Sequence, residues 1–388
     1  MGRAAQHSQP RRSLSQLGLR RSSSAALQCV AGVALSIHTD SLPGVIDSAA
    51  AWYGRDLQDD DTWVEQLSEV EIAEILAAVA QITERGVAML DMTASDFPLP
   101  TLSDRMRTLA RKLDSGRGFW LMRGLPVDQM SERDAAFAYW GLGLHMGVPV
   151  SQNARGHLLG HVIDEGVDFR TDSGARGYQT RLRLPYHTDS SDVVGLLCLQ
   201  TAKSGGQSSV ASTTAAYNET LIRRPDLAHM WFEPWFYDRR NEEQPGEDPF
   251  YSTKLAAWDG DYLAIRYVRT FLETAQRHDA VPKMTQDQID FLDLIDNVAH
   301  EPGFALHMDF RPGDIQFVCN YTTFHSRKSY EDHDDPALRR HLLRLWLTLD
   351  EGRDVPADFG RGQQEGSGGR GGIPGVAGIA EPMAGTYA

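Results

Sequence analysis

The chain has 388 residues, 41% of them hydrophobic, which is enough for a substantial core. No run of 18 or more apolar residues suggests a membrane span. A net charge of −15 and a pI near 5.3 speak against a general nucleic-acid binder, which would show a basic face.

Residues 1–39 carry Arg3, Arg11, Arg12, Arg20 and Arg21 among many serines and no acidic residue. That pattern fits a mitochondrial-type presequence, Arg11-Arg12 ahead of an apolar run loosely fits a twin-arginine export signal, and a disordered extension without an address fits equally. Residues 1–45 are therefore set apart as a disordered or targeting extension. The expected location is cytoplasmic, or mitochondrial if that extension is a presequence.

Residues 46–115 read as a helical region packed on the core. Ser68-Glu69-Val70-Glu71 has the form of a capping box, followed by Ile72, Ile75, Leu76, Val79 and Ile82 at helical spacing, with Gly86 placed to close the end. Leu102 to Leu113 is a second helical stretch. Gly118 to Pro126 reads as a strand ended by Gly and Pro, and Ser131 caps a helix reaching about Leu144. Gln152 and Asn153 follow as polar ends of a turn and strand; their amides could bond a substrate or satisfy loop backbone. The polar, glycine-bearing stretch 164–179 leads into a strand at His187. A further helix is expected over Thr213 to Ile222.

The stretch 231–276 reads as an insertion mixing aromatics and arginines, including Arg266 and Tyr267. Such a mixture would suit a pocket for an anionic organic molecule, and it would equally suit packed β-structure. Thr285 to Ala299 is another helix. Beyond 351 the chain turns glycine-rich, and 351–388 is expected to be a disordered tail. Of three cysteines, Cys29, Cys198 and Cys319, the last two sit in apolar strand-like runs and read as buried small hydrophobes.

The chemistry concentrates around Leu184-Pro185-Tyr186-His187-Thr188-Asp189, just before the apolar run Val193–Leu199. Residues i and i+2 of an extended segment point the same way, so His187 and Asp189 can grip one ion together. His325 follows a second strand-like run, Ile315 to Tyr321. Two histidines and a carboxylate on one face of an octahedron, with the remaining positions open, is the ligand set of non-haem Fe(II) oxygenases. A 2-oxo acid could chelate such an ion, and its far carboxylate would then need a cation. Arginine suits that task, because its planar fork makes two parallel charge-assisted bonds and never deprotonates.

With Gly205-Gly206-Gln207-Ser208 after the first pair and Arg339-Arg340-His341-Leu342-Leu343-Arg344 after the third ligand, the sequence resembles the taurine dioxygenase (TauD/TfdA) family of Fe(II)/2-oxoglutarate-dependent oxygenases. The likeness runs from about Gly118 to Leu349. It implies an α+β fold with a double-stranded β-helix (jelly-roll) core and flanking helices, clavaminate synthase-like, with a catalytic domain over 116–350. It implies Fe(II) as cofactor, held by His187, Asp189 and His325, with 2-oxoglutarate and O2 as co-substrates. Matching the family's motif puts Arg340 on the distal carboxylate of 2-oxoglutarate together with Ser208, where many members have Thr. Arg344 would approach the iron-side carboxylate or an acidic substrate.

Gln152, Asn153, Asn320, Tyr267 and Arg266 are further candidates for the substrate pocket. Halogenating relatives lack the carboxylate ligand, so Asp189 favours hydroxylation or another C–H oxidation, with release of succinate and CO2. The expected partner is a small, anionic metabolite, with no nucleic acid and no membrane; a homo-oligomer is left open. Three alternatives stand beside this reading: an iron oxidase that does not use 2-oxoglutarate, a non-catalytic metal-binding jelly roll, and a demethylase of the same superfamily.

Overall fold

The structure is a computed structural model that describes residues 42–171, 174–356, 359–360 and 371–378. Two sheets organise it. The larger contains β1 (Val64–Gln66), β2 (Phe119–Arg123), β14 (Ile315–Cys319), β6 (Val193–Gln200), β17 (His341–Leu349) and β3 (Gly147–Pro149) in that order, with β4 (Leu159–Val162) also on β17. The smaller runs β13 (Leu306–Met308), β8 (Ser208–Ser212), β15 (Thr323–Arg327), β5 (Leu184–His187), antiparallel throughout. Phe119, Val194, Val318 and Trp346 from the larger sheet pack with Val210, Leu306 and Met308 from the smaller, so the sheets meet face to face. This is the double-stranded β-helix core that the family resemblance implies.

Both outer faces are covered by helices, which explains why the central strands are apolar runs rather than alternating ones. Val193, Leu197, Phe317, Leu345 and Leu347 point outward from the larger sheet into helices α2 (Glu69–Arg85), α3 (Leu102–Ser115) and α4 (Glu132–Leu144). The helix ends follow the local signals. Ser68 accepts from the Glu71 amide while Glu71 reaches back to Ser68, and Gly86 closes α2 at φ 63°. Ser131 caps α4 through the Asp134 amide.

Over the smaller sheet, Tyr186, Ala211 and Phe324 pack against α5 (Thr213–Arg223), α7 (Gln286–His300) and the insertion. The insertion consists of the hairpins β9 (Pro234–Asp238)/β10 (Phe250–Lys254) and β11 (Ala256–Trp258)/β12 (Leu263–Ile265), then α6 (Arg269–Ala275). The short pair β7 (Ser204–Gly205)/β16 (Tyr330–Glu331) and the one-turn α1 (Gly54–Leu57) complete the elements. Among the described residues, no helix is long and apolar enough to cross a membrane.

Two terminal expectations change. The targeting or extension reading of the N-terminus falls mostly on residues outside those described, but from Pro43 onward the chain is anchored: the Tyr217 hydroxyl donates to the Pro43 carbonyl, and Asn218 bonds Ile46 through both its amide atoms. At the other end, residues 371–378 do not read as a disordered tail. Ile373 donates its amide to the Ser151 carbonyl at 2.8 Å and is only 5% exposed. Composition misled here, because a glycine-rich segment without a core of its own can still hold by backbone bonds to an existing edge.

Candidate metal centre and its cavity

Strand pairing brings the ligand set together. His187 ends β5 and lies directly opposite His325 of β15, which places their ring centroids 4.2 Å apart. Asp189 follows two residues on. Its Oδ1 is 3.7 Å from His187 Nε2 and its Oδ2 is 3.6 Å from His325 Nε2. One donor atom from each of the three side chains lies within 4.8 Å of the others, on the scale of a single ion's coordination shell.

The surroundings orient the donors. His187 Nδ1 sits 2.9 Å from the Pro185 carbonyl, which can only accept, so Nδ1 carries the proton and Nε2 turns its lone pair toward Asp189. Thr188, between the two ligands, is held on both sides by the Tyr267 backbone. The Asp189 amide donates to Asn320 Oδ1, and Trp346 Nε1 donates to Asp189 Oδ2 at 2.9 Å. An ionised carboxylate and two imidazoles with shared aim fit a divalent transition metal. Trp346→Phe removes the indole donor on Asp189 while keeping an aromatic ring; Fe(II) affinity should fall by about tenfold or more, measured by anaerobic titration.

Burial, reinforced by the nearby His325, pushes the His187 imidazole down to about 4 from 6.5, against the pull of Asp189. Burial raises Asp189, but its interaction with His325 and the positive charge of Arg344 outweigh this and hold it below the ordinary range. Both folded values are depressed, so both contributions to stability are lost on acidification. For His187 the loss begins as pH drops below 6.5 and is complete below about 4. The melting temperature of metal-free protein should therefore drop between pH 7 and 4, and His187→Gln should flatten that drop; parallel curves for the two proteins would contradict it.

The triad opens onto a cavity of about 130 Å³. Arg340, Leu342, Arg344 and Trp346 all line it, so the alternation expected along this strand holds despite a register shift at His341. Arg340 is buried, with Nη1 lacking any hydrogen-bond partner. Gly206, at φ 71°, lets it in: a Cβ there would sit 3.2 Å from Arg340 Nε. Ser208 lines the same space and donates to Gln316 Oε1. Arg339 is exposed and bonds loop carbonyls of His333 and Asp334.

Sequence reasoning missed Arg327. It shares a strand face with His325, two residues away, and that alternation was the available signal. Arg327 and Arg340 stack against Tyr330, with the guanidinium carbons 4.9 and 5.1 Å from its ring centre. Arg327 Nη2 donates to the Thr180 and Leu182 carbonyls, while Nε and Nη1 are buried without partners. Burial and the charge of Arg340 push Arg327 down to about 10, so it stays protonated at neutral pH. Arg344 lies between Tyr178 and Trp346, and its Nε donates to Gln152 Oε1 at 2.7 Å. Among the described residues, none of Arg327, Arg340 and Arg344 is ion-paired to a carboxylate.

The proposed substrate-pocket residues divide. Gln152 lines the cavity, though its amide is taken up by Arg344, accepting from Nε and donating to the backbone carbonyl, and by the Leu158 carbonyl. Asn153 does not line it and instead caps its own loop through the Arg155 and His157 amides. Asn320 sits behind Asp189, fixing the ligand's backbone and the Ser191 carbonyl. Tyr267 is fully buried, its hydroxyl on Asp296. Arg266 is enclosed beside Tyr237 and bonds Ser190 and Tyr251. These four therefore support the site or the core and do not line its cavity. The insertion's contribution to the wall is Val268, Arg269 and Phe271, near Arg176 and Tyr178 of the preceding loop.

A second cluster of possible donors, Glu132, His161 and His341, lies at the other side of β17. Its His341 faces His161 with Nε2 and Glu132 with Nδ1, so the ring lies between its neighbours.

A family model described as "Taurine catabolism dioxygenase TauD, TfdA family" matches residues 79–346. The chain is 32% identical over 317 residues, 81% of this chain and 93% of the other, to a protein named FR-33289 synthase from Streptomyces rubellomurinus. It is 27% identical over 191 residues, 46% of this chain and 66% of the other, to a uridine-5'-phosphate dioxygenase from Amycolatopsis sp. The fold matches an asparagine oxygenase solved with Fe(II), 2S,3S-3-hydroxyasparagine and succinate, at a TM-score of 0.57 and 15% identity, covering 74% of this chain and 93% of that one. The chain belongs to the TauD, TfdA family and is an Fe(II)- and 2-oxoglutarate-dependent dioxygenase.

Proposed function

We propose that this dioxygenase hydroxylates a C–H bond of a small anionic metabolite, with His187, Asp189 and His325 as the iron ligands. The observation that carries this reading is the cavity itself: a two-histidine, one-carboxylate set beside three buried arginines that make no ion pair with a carboxylate among the described residues. Iron bound there supplies activation of O2, coupled to oxidation of 2-oxoglutarate to succinate and CO2. Arg340 and Ser208 bind the distal carboxylate of 2-oxoglutarate, and Arg327 adds a second positive charge behind them. Arg344, splayed between two aromatic rings by Gln152, receives the substrate's anionic group.

Charge counting favours an anion on both ligands. Among the described residues Asp189 is the one carboxylate lining the cavity, against a divalent ion and several arginines, while Asp164 and Asp332 act on Arg327 and Arg340 from outside that lining. Arg344, whose nearest described acid is Asp189 itself, is the cation that a substrate anion would compensate. The relative named a uridine-5'-phosphate dioxygenase is, by that name, an enzyme for a phosphate-bearing molecule, which agrees.

The test is anaerobic titration with Fe(II) and 2-oxoglutarate, followed by O2 and a panel of anionic, neutral and cationic compounds. A weak visible charge-transfer band and succinate release matched by product from an anion are expected. Turnover only with neutral or cationic compounds would overturn the substrate assignment, and iron binding without any 2-oxoglutarate response would overturn the co-substrate assignment.

A further inference from the structure

The segment 371–378 is joined to the site by a specific set of bonds. Ile373 forms a parallel bridge with Gln152, its amide bonded to the Ser151 carbonyl at 2.8 Å, and the Val376 amide bonds the Ala154 carbonyl at 2.7 Å. From the insertion side, Gln244 Nε2 reaches the carbonyls of Pro374 and Gly375. Gly372 makes the approach possible: its φ is 74°, and a Cβ would lie 2.2 Å from the Ser151 carbonyl oxygen. Ile373 then packs in one cluster with Val194 and Trp346 and forms part of the cavity wall. The residue it pairs with, Gln152, is the one that holds Arg344.

We infer that this C-terminal segment is a docked wall of the substrate chamber and that Ile373 is a specificity-determining residue. It limits the length of the carbon body that fits when an anionic group sits on Arg344. The inference rests on the reading of this cavity as the substrate site, and it adds a residue far from the ligand motifs. An apolar side chain at this point gives the organic part of the substrate a dry surface, while the segment's backbone keeps Ser151 and Gln152 in place. Gln152 in turn orients Arg344, so docking couples the shape of the chamber to the position of its charge.

Two measurements on the full-length Fe(II) protein with 2-oxoglutarate decide this. In hydrogen exchange, the Ile373 and Val376 amides should be protected at least about tenfold relative to a free peptide. Gly372→Val should abolish that protection and leave the 2-oxoglutarate charge-transfer band intact, showing that the fold and iron site survive. Exchange at free-peptide rates in the unaltered protein would overturn the docked wall. The second measurement uses linear alkanesulfonates of graded length as probes, read by their perturbation of the same band. Ile373→Ala should shift the preference to longer chains, with about fourfold tighter binding for each additional methylene accommodated. Ile373→Trp should shift it the other way, weakening hexanesulfonate by about tenfold or more. An unchanged length preference in both variants would remove Ile373 as a determinant. If no sulfonate binds any form, the anionic-substrate reading fails, while the exchange result, which needs no substrate, still decides whether the wall exists.

Discussion

Asp189→Ala is expected to remove Fe(II) binding from the protein, with affinity falling by more than about 100-fold, the upper end of what losing a supporting residue around a metal costs. The reason lies in the charge as much as in the lost bond. Asp189 is the only carboxylate of the triad, and both of its oxygens lie within 3.7 Å of an imidazole nitrogen. Without it, a divalent ion would sit between two neutral rings with Arg344 nearby, an arrangement with no anionic compensation. The fold should survive, because Asp189 is placed by its neighbours and does not place them: Asn320 holds its amide and Thr188 is fixed by Tyr267. Anaerobic titration with circular dichroism as a control checks this. A folded variant that binds iron as tightly as the parent would show that the triad is not the metal site.

Arg340→Ala should raise the dissociation constant for 2-oxoglutarate by about two orders of magnitude and leave iron affinity within about threefold. Two charge-assisted bonds to a carboxylate contribute roughly 1.5–3 kcal/mol each, and losing about 3 kcal/mol in total is a factor of roughly 150. Arg340→Lys keeps the charge without the planar fork, so it should fall between, near tenfold. The intact iron affinity separates co-substrate binding from general damage. Arg327 is the natural rival for this task, being buried beside Arg340 on the same tyrosine. Its guanidinium also ties down Thr180 and Leu182 ahead of β5. Arg327→Ala is therefore expected to lower thermal stability and iron affinity together, whereas Arg340→Ala moves 2-oxoglutarate alone. Unaltered 2-oxoglutarate affinity in Arg340→Ala would transfer the role to Arg327.

What the sequence determined by itself was whatever depends on a few consecutive residues. The capping residues Ser68 and Ser131 fixed helix starts, because each satisfies amide groups within three positions of itself. His187 and Asp189 were legible as a pair, since strand geometry turns i and i+2 to one side, and the same alternation placed Arg340 and Arg344 together. His325 was singled out because it follows the strand-like run Ile315 to Tyr321 and completes a two-histidine, one-carboxylate set, and the family resemblance implied the same residue. Its position opposite His187 comes from the pairing of β15 with β5, over 130 residues apart in the chain, a register no local signal states.

Only the tertiary structure decided which polar and aromatic residues face the cavity. Arg266, Tyr267 and Asn320 have the composition of a binding pocket, yet they serve behind it, because a buried arginine or amide is stable wherever partners exist, in a core as well as at a ligand. The roles of Trp346 and Arg327 went unnoticed for the converse reason: inside a strand they look like packing residues until the fold brings Asp189 to the first and the turn after β15 brings Tyr330 to the second. The glycine-rich end was the plainest case. Low hydrophobicity says that a segment cannot build its own core, but residues 371–378 need none, since the edge beside Gln152 already offers the Ser151 and Ala154 carbonyls and Ile373 packs with Val194 and Trp346.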